Sequence, residues 1–460
     1  MFRHARIFWI SARALRALIP LGSAALLGIL FFPAWGQSPA VPVPPHSSHA
    51  AALANEALTL QKAIAMAIAS NAELSAARRE LEAADGPVLQ GGARPNPELS
   101  VLLEDTQRAT RTATFVLNQR IELGGQRAAR ISAAERGRDI AAAELAARRT
   151  DLRATVVAAF HAILLAQEHV KLADESTELA QRAADAAAKR VQAGKISPVE
   201  ETKARVAAAT ARLEAAQAAS ELRLSRLRLA ATWGDAAPRF DRVEAPSDTM
   251  SMSMSMSMSV PMPMPMPTVE ALSARVAASP RLRRAQVEVQ RRGALSDLER
   301  ARRTPDLSVS LGMKRDEQLG RNQAVFGVTV ALPLFDRNQG NLLEALRRED
   351  KSRDELAAAT IQLRTAVMQS WGRLDIANAE AQTVRDQVLP GAQSAYDAAT
   401  KGFELGKFNF LDMLDAQRTL FQAKAQYLRA RGEAHRAAVD IDRLLGDGET
   451  PETTETAAIR

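Results

Sequence analysis

Two copies of one short turn constrain what this chain can fold into. AGKISPVEETKARV at 193–206 and LGKFNFLDMLDAQRTLF at 405–421 each carry Gly-Lys, a short non-helical step and an acidic residue, with Gly194 and Gly406 standing 212 residues apart. Each turn follows a long helical pattern and leads into another. Glycine supplies the freedom a helix end needs, Ser197 or Asn409 can cap the next helix, and Pro198 fits its first turn. A duplicated helical hairpin is therefore the unit of construction. The match extends upstream, since Pro305-Asp306-Leu307-Ser308-Val309 repeats Pro97-Glu98-Leu99-Ser100-Val101 at an offset of 208, and SPRL at 279–282 matches NAEL at 71–74.

Between the helical runs the period changes from helical to alternating. Leu99, Val101 and Leu103 oppose Glu98, Ser100, Leu102 and Glu104. Ala113, Phe115, Leu117, Ile121 and Leu123 oppose Asn118, Arg120 and Glu122. Two strands joined by a polar loop make a hairpin with one apolar and one wet face. The second half repeats it at 305–315 and 324–334, with Phe326, Val328, Val330, Leu332 and Leu334 on the apolar side.

The helices are long. A helix is expected at 58–84, capped by Thr59 and ended by Asp85-Gly86-Pro87, and another from Gln126 to about Val191 with no proline to stop it. Sixty-odd residues of helix reach about 100 Å, so this one needs a sheath of similar helices. The first helix covers part of it, and 198–233, returning from the Gly194 turn, covers another part. In the second half a short helix spans 268–300, and a very long one runs to about Phe403 with a kink expected at Pro390-Gly391. The partner of 198–233 is then 411–445.

Residues 1–36 begin with Arg3, Arg6, Arg13 and Arg16, continue through LIPLGSAALLGILFF and end on Ala34-Trp35-Gly36. This is the pattern of a cleaved signal peptide, with an uncleaved N-terminal anchor as the alternative. The chain has no cysteine, which excludes disulfides, thiolate chemistry and cysteine lipidation. Its formal net charge is +7, but the charges are interspersed along the helices and no block reads as a nucleic-acid site. Between the halves lies MSMSMSMSMSVPMPMPMP, where alternating proline excludes helix and interior strand. Thioethers at Met252, Met254, Met256, Met258, Met262 and Met264 could take Cu(I) or Ag(I). The strict two-residue period fits a flexible connection better.

The expected organisation is a signal peptide at 1–36, a flexible segment at 37–56, a first repeat at 57–234, the low-complexity connection at 235–268, a second repeat at 269–446 and a disordered tail at 447–460. Strands fall at about 97–106 and 112–123 in the first repeat and at 305–315 and 324–334 in the second. Nothing supports an enzyme or a bound cofactor. His161, His169 and His435 stand isolated in helical runs, and no phosphate loop is present.

Four alternating strands cannot close a barrel alone, and open sheet edges are not tolerated in lipid, so several copies must pool their strands. The helices then hang from one rim as a hollow sheath. The result is a duct rather than a catalyst.

Over essentially all of the expected mature sequence the chain resembles the outer-membrane efflux protein family, the channel-tunnels of Gram-negative bacteria. The resemblance rests on the two repeats, the four strands and the pattern of Gly406-Lys407 followed by Leu411-Asp412-Met413-Leu414-Asp415-Ala416-Gln417. Ile121-Glu122-Leu123-Gly124-Gly125-Gln126-Arg127 and Leu332-Pro333-Leu334-Phe335-Asp336-Arg337-Asn338-Gln339-Gly340-Asn341 look like the branch serving cobalt-zinc-cadmium and related heavy-metal efflux. The resemblance implies long antiparallel α-helical hairpins forming a periplasmic α-barrel, with four β-strands per chain in a trimeric, twelve-stranded β-barrel.

It further implies a homotrimer in outer-membrane lipid, joined through a periplasmic adaptor to a proton-driven inner-membrane RND transporter. Drug efflux or type I secretion within the family is one alternative, and a periplasmic coiled-coil scaffold is another. On this architecture the turns lie at the periplasmic tip, and Gly194, Lys195, Ile196, Ser197, Gly406, Lys407, Phe408 and Asn409 are the expected adaptor-docking set. Asp412 and Asp415, three apart on one helical face, would form acidic rings about a threefold axis, with Glu200 at the first-half position. Some drug-type members hold the tip closed with Tyr and Arg ties; Phe403 and Phe408 occupy the matching positions here, which implies an apolar gate or a different salt bridge.

Overall fold

The structure, a computed structural model, describes residues 57–105, 107–244 and 266–446. The expected signal peptide, the methionines at 252–264 and the tail at 447–460 lie outside the described residues.

The N-terminal helix is three helices rather than one: α1 (Leu60–Ser70), α2 (Ala72–Ala83) and α3 (Asp85–Gly92). The break is made by Asn71, whose Oδ1 accepts from Leu74 N at 2.8 Å while its Nδ2 donates to Thr232 O at 2.8 Å. Asp85-Gly86-Pro87 opens α3 instead of ending a helix, because a proline in a first turn lacks only an N–H that had no intrahelical partner.

Then come β1 (Glu98–Glu104), β2 (Thr112–Ile121), α4 (Gln126–Gln192) and α5 (Pro198–Ala231). The second half gives α6 (Val269–Val276), α7 (Pro280–Ala301), β3 (Leu307–Asp316), β4 (Arg321–Val330) and α8 (Gln339–Thr383). A π-helical turn at Val384–Val388, α9 (Leu389–Glu404) and α10 (Phe410–Leu445) complete it. The expected single helix at 268–300 is likewise split, by Ser279, whose hydroxyl accepts from Leu282 N at 3.4 Å. NAEL and SPRL are thus equivalent helix starts.

The strands form one antiparallel sheet in the order β1-β2-β3-β4, with β1 and β4 left as edges. Register places Val101 opposite Phe115, Phe115 opposite Met313, Leu311 opposite Phe326 and Val309 opposite Val328. These apolar residues share one face, and Leu99, Val101, Phe115, Leu311, Met313, Phe326 and Val328 are all exposed. The other face carries Ser100, Thr114, Asn118, Ser310, Lys314, Gln323 and Thr329, with Asn118 opposite Ser310 and both Thr114 and Gln323 opposite Lys314. Gly312 sits on that polar face, where an added Cβ would meet Phe115 O at 2.3 Å.

The sheet is clipped to the helices at polar junctions. Arg130 of α4 pairs with Glu122 and donates to Gly91 O and Ala93 O at 3.3 and 3.2 Å. Gln126 donates to Thr304 O at 2.9 Å. In the second half Asn338, in a left-handed conformation, donates to Glu299 O at 2.9 Å.

With 67 residues, α4 reaches about 100 Å. It is covered piecewise, by α1, α2 and α3 along its first part and α5 along its last, while α7 and then α10 lie on its other side. Where α1 begins and α5 ends, Leu58, Ala63 and Ala67 pack with Val156, Phe160 and Ile163 of α4 and with Leu229 and Trp233. The second repeat builds the counterpart from Leu272, Leu282, Leu363, Val367, Leu374, Ala434, Ala437 and Ile441. Nearer the turns the seam is small: Ala180, Ala184 and Ala187 face Ala204, Ala208 and Ala211, which lets the two backbones approach closely.

The interruption expected at Pro390-Gly391 takes the form of a π turn at Val384–Val388. It precedes the proline, with Leu389 N bonding to Val384 O five residues back. Proline has no N–H to return to its own turn, and the widened turn absorbs the mismatch.

The histidines are not all isolated. His161 of α4 and His435 of α10 stack with centroids 4.5 Å apart and planes 16° from parallel. Burial, then His161 and Arg431, pushes the His435 imidazole down to about 4. Burial and Arg431 also lower His161.

The folded protein therefore binds this proton more weakly than the unfolded chain does. His435's contribution is complete above about pH 6.5 and is lost as pH falls toward 4, on the order of 3 kcal/mol at the lower limit. Thermal unfolding followed by circular dichroism should drop between pH 7.5 and 4.5, and His435→Leu should flatten that drop; an identical drop in the variant contradicts the assignment. In the sheet, Gly312→Val should abolish heat-modifiable oligomers, whereas Gly327→Ala, whose Cβ would lie an ordinary 3.4 Å from Ser310 Cβ, should retain them. Equal behaviour of the two variants on unheated and heated gels refutes this account of the polar face.

Candidate functional site at the hairpin tips

The two turns share one backbone solution. Helix α4 ends with Lys195 N bonding Arg190 O at 2.9 Å and Gly194 N bonding Val191 O at 2.9 Å. Helix α9 ends with Lys407 N bonding Gly402 O at 2.7 Å and Gly406 N bonding Phe403 O at 3.1 Å. Both are Schellman ends, with glycine in the left-handed region at φ 70° and 71°. An added Cβ at Gly194 or Gly406 meets nothing within 4 Å, so the backbone conformation rather than crowding selects glycine.

The next helices restart differently. Ser197 accepts from Val199 N at 3.3 Å, with Pro198 at the first position of α5. Asn409 accepts from Asp412 N at 2.8 Å, and the Asp412 carboxylate accepts from Asn409 N at 3.2 Å. This reciprocal capping box gives Asp412 a structural task of its own. Glu200 is the third residue of α5 as Asp412 is of α10, but it lies half-buried. Asp415 is exposed, one turn further along α10.

Aromatic residues organise the second tip. Phe403 is buried, its ring 5.5 Å from Phe410 and capped by the Arg190 guanidinium at 3.8 Å. Arg190 belongs to α4, so this cation–π contact ties the two hairpins together. Phe408, half exposed, lays its ring over Gly402, where an added Cβ would fall 2.2 Å from the ring. Phe403 is thus a strut inside the tip, while Phe408 remains on its surface.

The turns bring exposed Gly194, Lys195, Ser197, Gly406, Lys407 and Asn409 to the ends of their hairpins, with Ile196 half-buried against the alanine seam. Exposed Asp412 and Asp415 stand just behind. The Arg190–Phe403 tie and the Gly402–Phe408 contact were missed in the sequence. Glycine at the third-last position of a helix was the available signal. Among the described residues no group of three or more His, Asp or Glu could hold a metal ion.

A family profile described as "Outer membrane efflux protein" matches residues 63–235 and 271–447. The chain is 47% identical over 432 residues to the "Cobalt-zinc-cadmium resistance protein CzcC" of Cupriavidus metallidurans, covering 94% of this chain and 99% of that protein. Among solved structures it resembles CusC, described in terms of folding and transmembrane channel formation, with TM-score 0.71, 18% identity, and coverage of 90% of this chain and 98% of that one. A membrane protein from Pseudomonas aeruginosa gives TM-score 0.70 at 21% identity over 84% of this chain and 90% of that one. The fold is that of the channel-tunnels.

Removing the side chain that caps α10 isolates the turn's own stability. Asn409→Ala should cost about 1 kcal/mol locally and speed amide exchange several-fold at 410–413, leaving 199–201 unchanged. Unaltered exchange at 410–413 contradicts the capping role.

Proposed function

We propose, on the premise that this chain belongs to the outer membrane efflux protein family, that three copies form the exit duct of a tripartite pump expelling divalent heavy-metal cations. The protein is an outer-membrane protein with a long periplasmic helical portion and is not an enzyme. The observation that carries the duct is the four-stranded sheet, apolar and exposed on one face, polar on the other, and open at both edges. The cargo class follows from extensive similarity to a cobalt-zinc-cadmium resistance protein.

In this reading residues 1–36 direct export, and each repeat supplies one strand pair and one helical hairpin to the assembly. The apolar face meets lipid and the polar face lines the pore. A periplasmic adaptor contacts the turn residues Gly194, Lys195, Ile196, Ser197, Gly406, Lys407, Phe408 and Asn409, and an inner-membrane RND transporter supplies energy and selects the cargo. Threefold repetition turns Asp412 and Asp415 into acidic rings that raise the local concentration of cations, with Glu200 and Phe408 beside them. Phe403 and Arg190 brace this mouth from within. Asp415 is the cleaner probe, because Asp412 also caps its helix.

Deletion followed by challenge with zinc, cobalt, cadmium, nickel, copper, silver, dyes and detergents tests the cargo. Sensitivity to zinc, cobalt and cadmium, restored by the intact gene, is the expected outcome; sensitivity confined to organic compounds places the protein with drug-efflux channels instead. In planar bilayers, Asp415→Asn should reduce cation preference several-fold at unchanged channel assembly. Unchanged ion preference removes the acidic ring from the account.

A further inference from the structure

Helix α5 has an apolar stripe that the described residues leave uncovered. Val199, Val206, Leu213 and Leu227 fall at multiples of seven residues and are 61, 60, 59 and 41% exposed. At 3.6 residues per turn this stripe lies roughly half a turn from Ala204, Ala208, Ala211 and Ala218, which are buried against α4. A heptad stripe opposite an occupied seam is the pattern of a helix held between two neighbours.

The chain contains a matching face at its other margin. Near the turns the helices run side by side in the order α5, α4, α10, then α9 and α8; near the sheet the order is α3, α4, α7, α8. The sheet order β1-β2-β3-β4 has the same sense. At every level one margin belongs to the first repeat and the other to α8, α9 and β4. On α8 and the π turn, Ile376 and Val388 are 69 and 40% exposed, with Ile376 roughly half a turn from buried Leu374 and Ala381.

Heights agree as well. Counted from their turns at 1.5 Å per residue, Leu213 and Val388 lie about 24 and 25 Å along, and Leu227 and Ile376 about 45 and 43 Å. Close to the sheet, Leu89 and Leu343 are both exposed and sit at the sheet-side ends of the two margin helices, within about one turn of the end of α3 and of the start of α8.

We infer that the occupant of the α5 stripe is α8–α9 of a second copy of this chain, in one continuous intermolecular seam: β4 beside β1, Leu343 beside Leu89, Ile376 beside Leu227 and Val388 beside Leu213. The inference rests on the ring-shaped assembly proposed above and names the residues that close it.

The chain has no cysteine, so introduced pairs report without background. Leu213→Cys/Val388→Cys and, independently, Leu89→Cys/Leu343→Cys are expressed in outer membranes and mildly oxidised. Covalent dimers and trimers are expected on non-reducing gels for each pair, and dimers only when the two single variants of a pair are co-expressed. Amine crosslinking of the same membranes reports trimers separately. Trimers without disulfides in either pair overturn the seam while sparing the assembly; absence of trimers in the unmodified protein overturns both.

Discussion

A backbone N–H or C=O left unpaired in hydrocarbon costs several kcal/mol, and this chain carries two rows of them along β1 and β4. The requirement to pair those edges governs the rest of the molecule. It forces copies to associate, and association around an axis sets the helices side by side beneath the rim. The long α4, the small alanine seam and the exposed stripe on α5 then become parts of one wall rather than oddities of a single subunit.

Duplication supplies the wall economically, but the two repeats are not equivalent where function is proposed. The first hairpin runs through α4 without interruption; the second carries a π turn before Pro390 and an aromatic tip built from Phe403, Phe408 and Phe410. The Schellman ends are nearly superposable in hydrogen bonding, whereas the restarts differ, Ser-Pro in one and an Asn–Asp capping box in the other. Common backbone geometry with different surfaces is what an assembly with two kinds of tip requires.

The fold was legible in the sequence because its signals are local and repeated. Period-two runs marked the strands, glycine marked the helix ends, and the absence of proline marked the length of α4. Single side-chain devices were not legible in the same way. Asn71 and Ser279 split helices whose apolar pattern continues through the break, since capping depends on one oxygen and leaves the period intact. Pro390 gave the right neighbourhood but not the π turn, because the bonding defect falls on the preceding residues. At the candidate site, exposure of the glycines, lysines and aspartates followed from their place in a turn. The inward position of Phe403 depends on Arg190, more than two hundred residues earlier in sequence, and the stacked His161 and His435 are further apart still. Such pairings belong to the packing of helices, which composition does not encode.

The central claim is that β1 and β4 are not free edges in the working protein. Hydrogen exchange measured on the protein in lipid bilayers, resolved to the strands, addresses it directly. The account expects slow exchange across 98–104 and 321–330, comparable with the interior strands β2 and β3. Exchange at either edge strand as fast as in the connecting loops would contradict a closed barrel and the assembly built on it.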